Sequence, residues 1–163
     1  MTPKTQTPPA QVVTFERTWR ATAREIWDLW TTRDGFESWW GPEGFRVEVS
    51  RIEPRLGGAL HYAMIADAPE MVAAMKQMGQ PAVQEVRGHY SGFEPHRRLQ
   101  LTHIIDFFKG VPPAENAIDV ELLPAGDHVR MVVTLHPMPT PELSRMQAEG
   151  FGSQLEKLDR RFA

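Results

Sequence analysis

The chain has 163 residues, no cysteine and a formal net charge of -3. The absence of cysteine excludes disulfides, thiol catalysis and thiolate metal sites, and it fits a cytoplasmic protein. The length favours one domain, no apolar run is long enough to span a membrane, and the scattered arginines do not form the basic stripe that nucleic-acid binding requires. Residues 1–11 are rich in Pro and Thr, which predicts a disordered tail before a single domain over 12–163.

A strand and a helix are predicted at the start of this domain. Residues 12–20 alternate in polarity as a strand does, and Arg17 is the polar exception on the apolar face. Thr22 and Glu25 are three residues apart and form a capping box, which predicts a helix that ends near Thr32.

A second short helix is predicted immediately afterwards. Asp34 repeats the capping signal, and the helix that it starts is predicted to include Trp39 and Trp40. Four of the five tryptophans lie within residues 27–40 and make a hydrophobic wall. Core packing explains part of this wall, and Trp39 and Trp40 are candidates for the lining of a cavity.

Two strands follow, at residues 45–53 and 59–65. The second strand alternates so that Leu60, Tyr62 and Met64 share one face. This face is predicted to point inward.

The segment 67–79 interrupts the strand pattern and predicts a short helix capped by Asp67. Met71, Met75 and Met78 are spaced at i, i+4 and i+7, which places them on one face of that helix. Methionine is flexible and polarisable, and it is favoured on surfaces that must fit several apolar shapes. Two interpretations stay open: a mobile lid over a cavity, or a helix that covers the sheet edge or the core.

Residues 83–93 and 99–108 predict two antiparallel strands joined by a short turn. Pairing Phe93 with Leu99 sets a register for the whole pair. That register places five side chains on the inward face: Arg87, His89, His103, Ile105 and Phe107.

Two more strands and a long helix complete the chain. Residues 116–123 and 129–135 alternate as strands, with Met131 on the inner face of the last one. Thr140 is a good N-cap for a helix that reaches residue 162. Its apolar residues recur at helical spacing: Leu143, Met146, Phe151, Leu155, Leu158 and Phe162. Gly150 and Gly152 interrupt this helix at a cost of roughly 1 kcal/mol each relative to alanine, which indicates a close approach to the sheet or space beside it.

The chain resembles proteins related to the C-terminal domain of the activator of Hsp90 ATPase, over nearly its whole length from about residue 12. The matching residues near the N-terminus are Arg17, Ala21, Trp27, Trp30, Thr31 and the run Trp39, Trp40, Gly41 and Pro42. The later matches are Gly57, Gly58, Tyr62, Met64, Gly88, Tyr90, Pro95, Leu99, Gly150, Leu155 and Leu158. Thr22 stands where the family usually has proline, and Phe151 stands where it usually has tryptophan.

The resemblance implies an α+β helix-grip fold of the START-like type. In this fold a curved antiparallel sheet of about six to seven strands wraps around a long C-terminal helix, and many members keep a hydrophobic cavity between helix and sheet. The family has no shared catalytic motif. The eukaryotic co-chaperone needs a separate N-terminal domain to stimulate Hsp90, and only about ten residues precede the predicted domain here, so Hsp90 is not an expected partner.

A polar anchor inside an apolar pocket is the main hypothesis for the site. Arg87 is its centre, because a buried arginine needs a carboxylate, carbonyls or an acidic ligand. The alternatives are an internal partner such as Glu121 or Glu149, or a strand bulge that turns Arg87 outward. His89 and His103 alone make a poor metal site, since a third ligand is normally needed. The predicted ligand-binding residues are Trp39, Trp40, Tyr62, Met64, Met71, Met75, Arg87, His89, His103, Ile105, Phe107, Met131, Met146 and Gly150.

Three functions remain open at this point. The first is non-catalytic binding of a small hydrophobic molecule, lipid-like or aromatic, without a cofactor. The second is an enzyme of the cyclase or hydratase type with His103 or His89 as general base. The third is a chaperone-associated or stress-response interaction module, which predicts an exposed apolar patch outside the cavity. A homodimer is also left open.

Overall fold

The computed structural model describes residues 12–163, so the tail predicted at 1–11 lies outside the described residues. Seven strands and four helices follow one another in an order close to the predicted one. They are β1 (Val13–Trp19), α1 (Ala23–Thr31), α2 (Arg33–Glu37), β2 (Phe45–Ile52), β3 (Ala59–Ala66), α3 (Pro69–Gln77), β4 (Val83–Glu94), β5 (Arg98–Ile105), β6 (Ala114–Ala125), β7 (His128–Leu135) and α4 (Pro141–Arg161).

The seven strands form one antiparallel sheet in the order β1-β7-β6-β5-β4-β3-β2. From β2 to β7, each strand pairs with the next one along the chain, and α3 lies in the connection between β3 and β4. The first strand, β1, pairs with the last strand, β7. Buried side chains alternate with half-buried or exposed ones along most strands, as in β6 and β7, because one face of the sheet packs on the core. This curved sheet, with the long helix α4 against it, confirms the predicted α+β helix-grip fold.

The capping residues set the starts of α1 and α2. The side chain of Thr22 accepts a hydrogen bond from the Glu25 N–H and the Glu25 carboxylate accepts one from the Thr22 N–H, so the predicted capping box is confirmed. The second helix begins earlier than predicted, because Thr32 rather than Asp34 is its N-cap and accepts from the Gly35 N–H.

The helix α3 also starts differently from the prediction. Its N-cap is Ala68, which makes no side-chain hydrogen bond, so Asp67 is not the cap. The helix is instead tied through backbone, because the N–H groups of Asp67 and Ala68 both donate to the Gly44 carbonyl, at 2.8 and 3.2 Å. This contact places α3 beside the loop before the edge strand β2, and none of its residues is buried.

A β-bulge changes the register predicted for β4 and β5. Phe93 pairs with Leu99 as expected, but the pairing shifts between Tyr90 and Gly92, so that Gly88 rather than His89 lies opposite His103. An extra residue in one strand reverses the face of every residue beyond it. On the N-terminal side of the bulge, therefore, the residues of β4 predicted to face inward face outward, and those predicted to face outward face inward.

The helix α4 begins and ends almost as predicted, with the Thr140 side chain accepting from the Leu143 N–H. Its C-terminal part also holds β1 through the carboxylate of Asp159. This carboxylate accepts from Arg17 Nε at 3.1 Å and from Trp19 Nε1 at 3.0 Å. Arg17, the polar exception on the inner face of the first strand, thus has an ion-pair partner on the helix.

Candidate functional site

A cavity of about 270 Å³ lies between the sheet and α4, along the N-terminal half of the helix and as far as Gln154. Helix α4 lines it with Leu143, Met146, Gln147, Gly150, Phe151 and Gln154. Strands β3 and β4 contribute Tyr62, Met64, Gln84 and Val86, and strands β5 and β6 contribute His103, Ile105, Asn116 and Ile118. The connecting loops add Trp40, Pro42, Phe107, Phe108 and Met138.

The rim of the cavity is marked by Met146, which lines it and yet is 45% exposed. The opening to solvent therefore lies beside the N-terminal half of α4. Phe107 and Phe108 lie in the loop after β5, half-buried and with ring centroids 4.8 Å apart. Methionine and phenylalanine side chains therefore contribute to this part of the lining.

A chain of three polar groups lies at the inner end of the cavity. Trp40 Nε1 donates to the Tyr62 hydroxyl at 3.0 Å, and that hydroxyl lies 2.9 Å from His103 Nε2. All three residues are buried. A neutral His103 whose Nε2 accepts the Tyr62 proton leaves the Tyr62 oxygen free to accept from Trp40, which accounts for both contacts.

Burial keeps both ionisable members of this chain uncharged at neutral pH. Burial, together with a smaller effect of the nearby His89, lowers the pKa of His103 to about 4. It also raises the pKa of the Tyr62 hydroxyl, against the opposing effect of the hydrogen bond from Trp40. The floor of the cavity is therefore polar but neutral.

Gly88 makes room for the His103 ring. A Cβ at position 88 would lie 2.9 Å from the Thr102 carbonyl oxygen and 3.2 Å from the His103 ring. Only glycine lets the ring lie across β4 at this point, so Gly88 helps to position His103 although it does not line the cavity.

Eight of the fourteen predicted binding residues line the cavity: Trp40, Tyr62, Met64, His103, Ile105, Phe107, Met146 and Gly150. The other six lie elsewhere: Trp39, Met71, Met75, Arg87, His89 and Met131. Six of the eight lie on β3, β5 and α4, and Trp40 and Phe107 lie in connecting loops.

Arg87 and His89 do not face the cavity, because the bulge at Ser91 reverses their side of β4. Arg87 has a side chain that is 56% exposed and forms an ion pair with Asp106 at 2.8 Å. His89 is half-buried and pairs with Thr102 in the sheet. The alternative in which a bulge turns Arg87 outward is therefore the correct one, and the expected arginine anchor is wrong.

Met71 and Met75 do not form a lid over the cavity. They are half-buried on α3, which is tied to the Gly44 carbonyl. A Cβ at Gly44 would lie 3.2 Å from Met71. The methionine face of α3 therefore packs near the loop before β2, and covering the sheet edge is the better interpretation of this helix.

Trp39 and Met131 belong to the closed core. Trp39 Nε1 donates to the Leu29 carbonyl at 2.8 Å and its ring lies edge-on to Trp30, with centroids 5.0 Å apart. Met131 is 1% exposed on β7, a strand that does not border the cavity. Both side chains face the interior as predicted, but a different part of it.

The sequence reasoning missed two glutamines that line the cavity from α4. Gln147 donates to Asn116 Oδ1 at 2.7 Å, and Gln154 Oε1 accepts from the Gly41 N–H at 2.9 Å. The spacing of the sequence indicates their position, since residues 143, 147, 150 and 154 fall on one face of a helix. Polar residues at core spacing mark a wall that is not filled by apolar packing.

A wider depression of about 510 Å³ lies on the outer face of the sheet. Two of the three carboxylates that line it, those of Asp119 and Glu121, are already paired inside the protein. Asp119 accepts from Gln100 at 2.7 Å and lies 2.5 Å from His136 Nε2, and Glu121 faces Arg98 at 3.7 Å. These polar groups of the depression therefore already bind to other side chains of the protein.

Within residues 12–163, no three or more His, Asp or Glu side chains come together in a way that could hold a metal ion. No helix among these residues is long and apolar enough to cross a membrane.

Comparison with known proteins decides the family. The model of the activator of Hsp90 ATPase homolog 1-like proteins matches residues 20–163. The chain belongs to this family. A search of the curated proteins found no significant match.

Solved structures show the same fold at low sequence identity. A protein from Chromobacterium violaceum is 17% identical with a TM-score of 0.73, and the match covers 93% of this chain and 97% of that one. An AHSA1 protein from Silicibacter pomeroyi is 20% identical with a TM-score of 0.71, over 93% and 96% of the two chains. An AHSA1-like protein from Aeromonas hydrophila is 16% identical with a TM-score of 0.68, over 92% and 90%. The helix-grip fold of this family is a general scaffold for ligand binding.

Proposed function

We propose that this protein binds a small hydrophobic molecule in the cavity beside the N-terminal half of α4, without catalysing a reaction on it. The observation that carries this proposal is the cavity itself, because its walls are mostly apolar and a few polar groups sit at fixed positions. This is the composition of small-molecule sites in general.

The cavity volume limits the size of the ligand. Benzene fits an engineered cavity of roughly 150 Å³, so a cavity of about 270 Å³ suits a molecule with one or two rings or a short chain. The opening beside Met146 allows a longer molecule to extend into solvent. A compact aromatic or a short lipid-like chain is the proposed class.

Binding is better supported than catalysis by the state of the polar groups. A general base works best when its pKa lies near the operating pH. Burial lowers the pKa of His103 to about 4, and Tyr62 is held as a neutral hydroxyl. The two groups use each other as hydrogen-bond partners, so they position a ligand better than they move a proton.

Gly150 offers the most direct test of this proposal. A Cβ there would meet only Pro42 Cγ, at 4.0 Å, so a larger side chain would extend into the cavity. We expect wild-type protein to bind toluene in a calorimetric titration and Gly150→Leu to bind it at least tenfold more weakly. The melting temperature of the variant should stay close to that of the wild type.

Equal binding of toluene by both proteins would overturn the proposed location. Native mass spectrometry of protein purified from cells gives an independent result, since a copurified apolar molecule should appear in the wild type and be depleted in Gly150→Leu.

A further inference from the structure

Gln154, a residue of the cavity lining, carries a buried hydrogen-bond donor without an acceptor among residues 12–163. The residue lines the cavity from α4 and is only 4% exposed. Its Oε1 accepts from the Gly41 N–H at 2.9 Å, which fixes which end of the amide is oxygen. Its Nε2 is buried and has no hydrogen-bond partner within residues 12–163.

The other buried polar side chains of the lining are already engaged. Tyr62 and His103 bond to each other. Asn116 donates to the His136 carbonyl at 2.8 Å and accepts from Gln147 at 2.7 Å. Among the fully buried side-chain nitrogen and oxygen atoms of the described lining, Gln154 Nε2 is thus the one without a hydrogen-bond partner. A buried donor without an acceptor is costly to a folded protein.

The lining has no counter-charge for an ionised ligand. None of the described residues around the cavity is Arg, Lys, Asp or Glu, and Arg87 is paired with Asp106 outside it. An ionised carboxylate in such an apolar space would lose its hydration without a cation to replace it. The cavity therefore disfavours acids in their charged form.

We infer that the cavity selects an uncharged, largely apolar molecule with one hydrogen-bond acceptor, of the ketone, aldehyde or ester class, whose oxygen accepts from Gln154 Nε2. The inference rests on the proposed function, because it assigns a ligand class to the same cavity. Apolar walls bind the body of the molecule, and Gln154 orients its carbonyl group.

Acetophenone and α-methylstyrene form a matched pair of probes, because a carbonyl oxygen in one replaces a methylene group in the other. The ratio of their dissociation constants is measured by calorimetry for wild type and for Gln154→Met. Comparing the ratios cancels the different hydration of the two free probes. We expect the preference for acetophenone to fall about tenfold in Gln154→Met, since only the ketone uses the amide donor.

Gln147→Met is the matched control, since it makes the same substitution on the same helix face two turns earlier. The Gln147 amide already donates to Asn116. We therefore expect Gln147→Met to keep the preference for acetophenone, even if the affinities for acetophenone and α-methylstyrene both change by the same factor. Benzoate should bind wild type at least tenfold more weakly than acetophenone. A benzoate affinity equal to or greater than that of acetophenone would overturn the uncharged class.

The side-chain amide signal of Gln154 in a ¹⁵N-labelled wild-type protein gives a readout without any substitution. Acetophenone should shift this signal more than α-methylstyrene does. An unchanged ratio in Gln154→Met together with equal shifts would overturn the carbonyl inference while leaving toluene binding, and with it the proposed function, intact. If toluene also fails to bind wild type, the proposed function itself is contradicted.

Discussion

The two halves of α4 meet the sheet in different ways. In the C-terminal half, Leu155 and Leu158 are 0% and 1% exposed and fill the space above the sheet, beyond Phe151 and Gln154, which line the cavity. In the N-terminal half, Leu143 is the one buried residue among 141–150, and Met146 is 45% exposed. One helix thus combines a solid core with one wall of a cavity.

The C-terminal half is also attached to the loop between α2 and β2. Gln154 and Lys157 bind the N–H and the carbonyl of Gly41, at 2.9 and 2.8 Å. Gly41 has a φ of 93°, a conformation that favours glycine. Glu43 adds an ion pair with Arg160 at 2.6 Å, and that hydrogen bond lowers the pKa of the Glu43 carboxyl. Because the C-terminal half of α4 is anchored in this way, the N-terminal half can border a cavity while the helix stays attached to the rest of the protein.

Truncation in the two halves should therefore have unequal costs. Leu158→Ala is expected to lower the free energy of unfolding by about 2–5 kcal/mol, since it opens a cavity in close-packed surroundings. Leu143→Ala is expected to fall at or below the lower end of that range, because its side chain already borders open space. Urea denaturation of both variants measures the difference, and equal losses would contradict the comparison.

The polar floor where the two regions meet should respond to pH. His103 has a pKa of about 4 in the folded protein and about 6.5 when unfolded. The unfolded state therefore binds the proton more readily, so this contribution to stability is complete above pH 6.5 and is lost as the pH falls toward 4. The shift corresponds to roughly 3 kcal/mol.

Denaturation of wild type and His103→Gln between pH 7.5 and pH 4 checks this prediction. The wild type should lose more stability than the variant over this window, because the other titrating groups are common to both proteins. Parallel curves would show that His103 is not held neutral by burial.

The two glycines of α4 separate filled space from open space. A Cβ at Gly152 would lie 3.5 Å from Phe15, whose ring packs against Phe151 with centroids 5.3 Å apart. Gly152→Leu should therefore displace these rings and cost about 1–3 kcal/mol. Gly150→Leu should cost less than about 1 kcal/mol. Thermal denaturation of Gly152→Leu and Gly150→Leu measures this difference. Equal destabilisation of the two variants would mean that Gly150 is needed for close packing.

The smallest expected effect is a gain in stability, for Gly150→Ala. Gly150→Ala removes a flexible residue from the helix interior, and the new methyl group would approach only Pro42. We expect stability to rise by up to about 1 kcal/mol with toluene binding largely retained. A loss of stability would show that the backbone at this position needs glycine for another reason.

Local patterns predicted the elements well. The capping box at Thr22, the N-cap Thr140 and the alternation of the strands depend on neighbouring residues, and each is confirmed in the structure. The start of α2 was misplaced because Thr32 and Asp34 are both good caps, and only the structure shows that Thr32 accepts from the Gly35 N–H.

The candidate site was predicted less well, because it depends on register and on tertiary contacts. One bulged residue, Ser91, reversed the face of Arg87 and removed the expected anchor. Gly88 and Gly92 inside the strand were the available warning, since glycine in a strand often marks a bulge. The position of α3 depends on backbone bonds to Gly44, which no periodicity in residues 67–79 can reveal.

The central claim is that a ligand binds in the cavity beside the N-terminal half of α4 and not in the closed core. Two neighbouring tryptophans report on this directly. Trp40 lines the cavity and donates to Tyr62, whereas Trp39 donates to the Leu29 carbonyl in the core. In a ¹H–¹⁵N spectrum titrated with toluene, the indole N–H signal of Trp40 should shift in a saturable manner while that of Trp39 stays in place. Shifts of equal size at both signals, or at neither, would contradict the account.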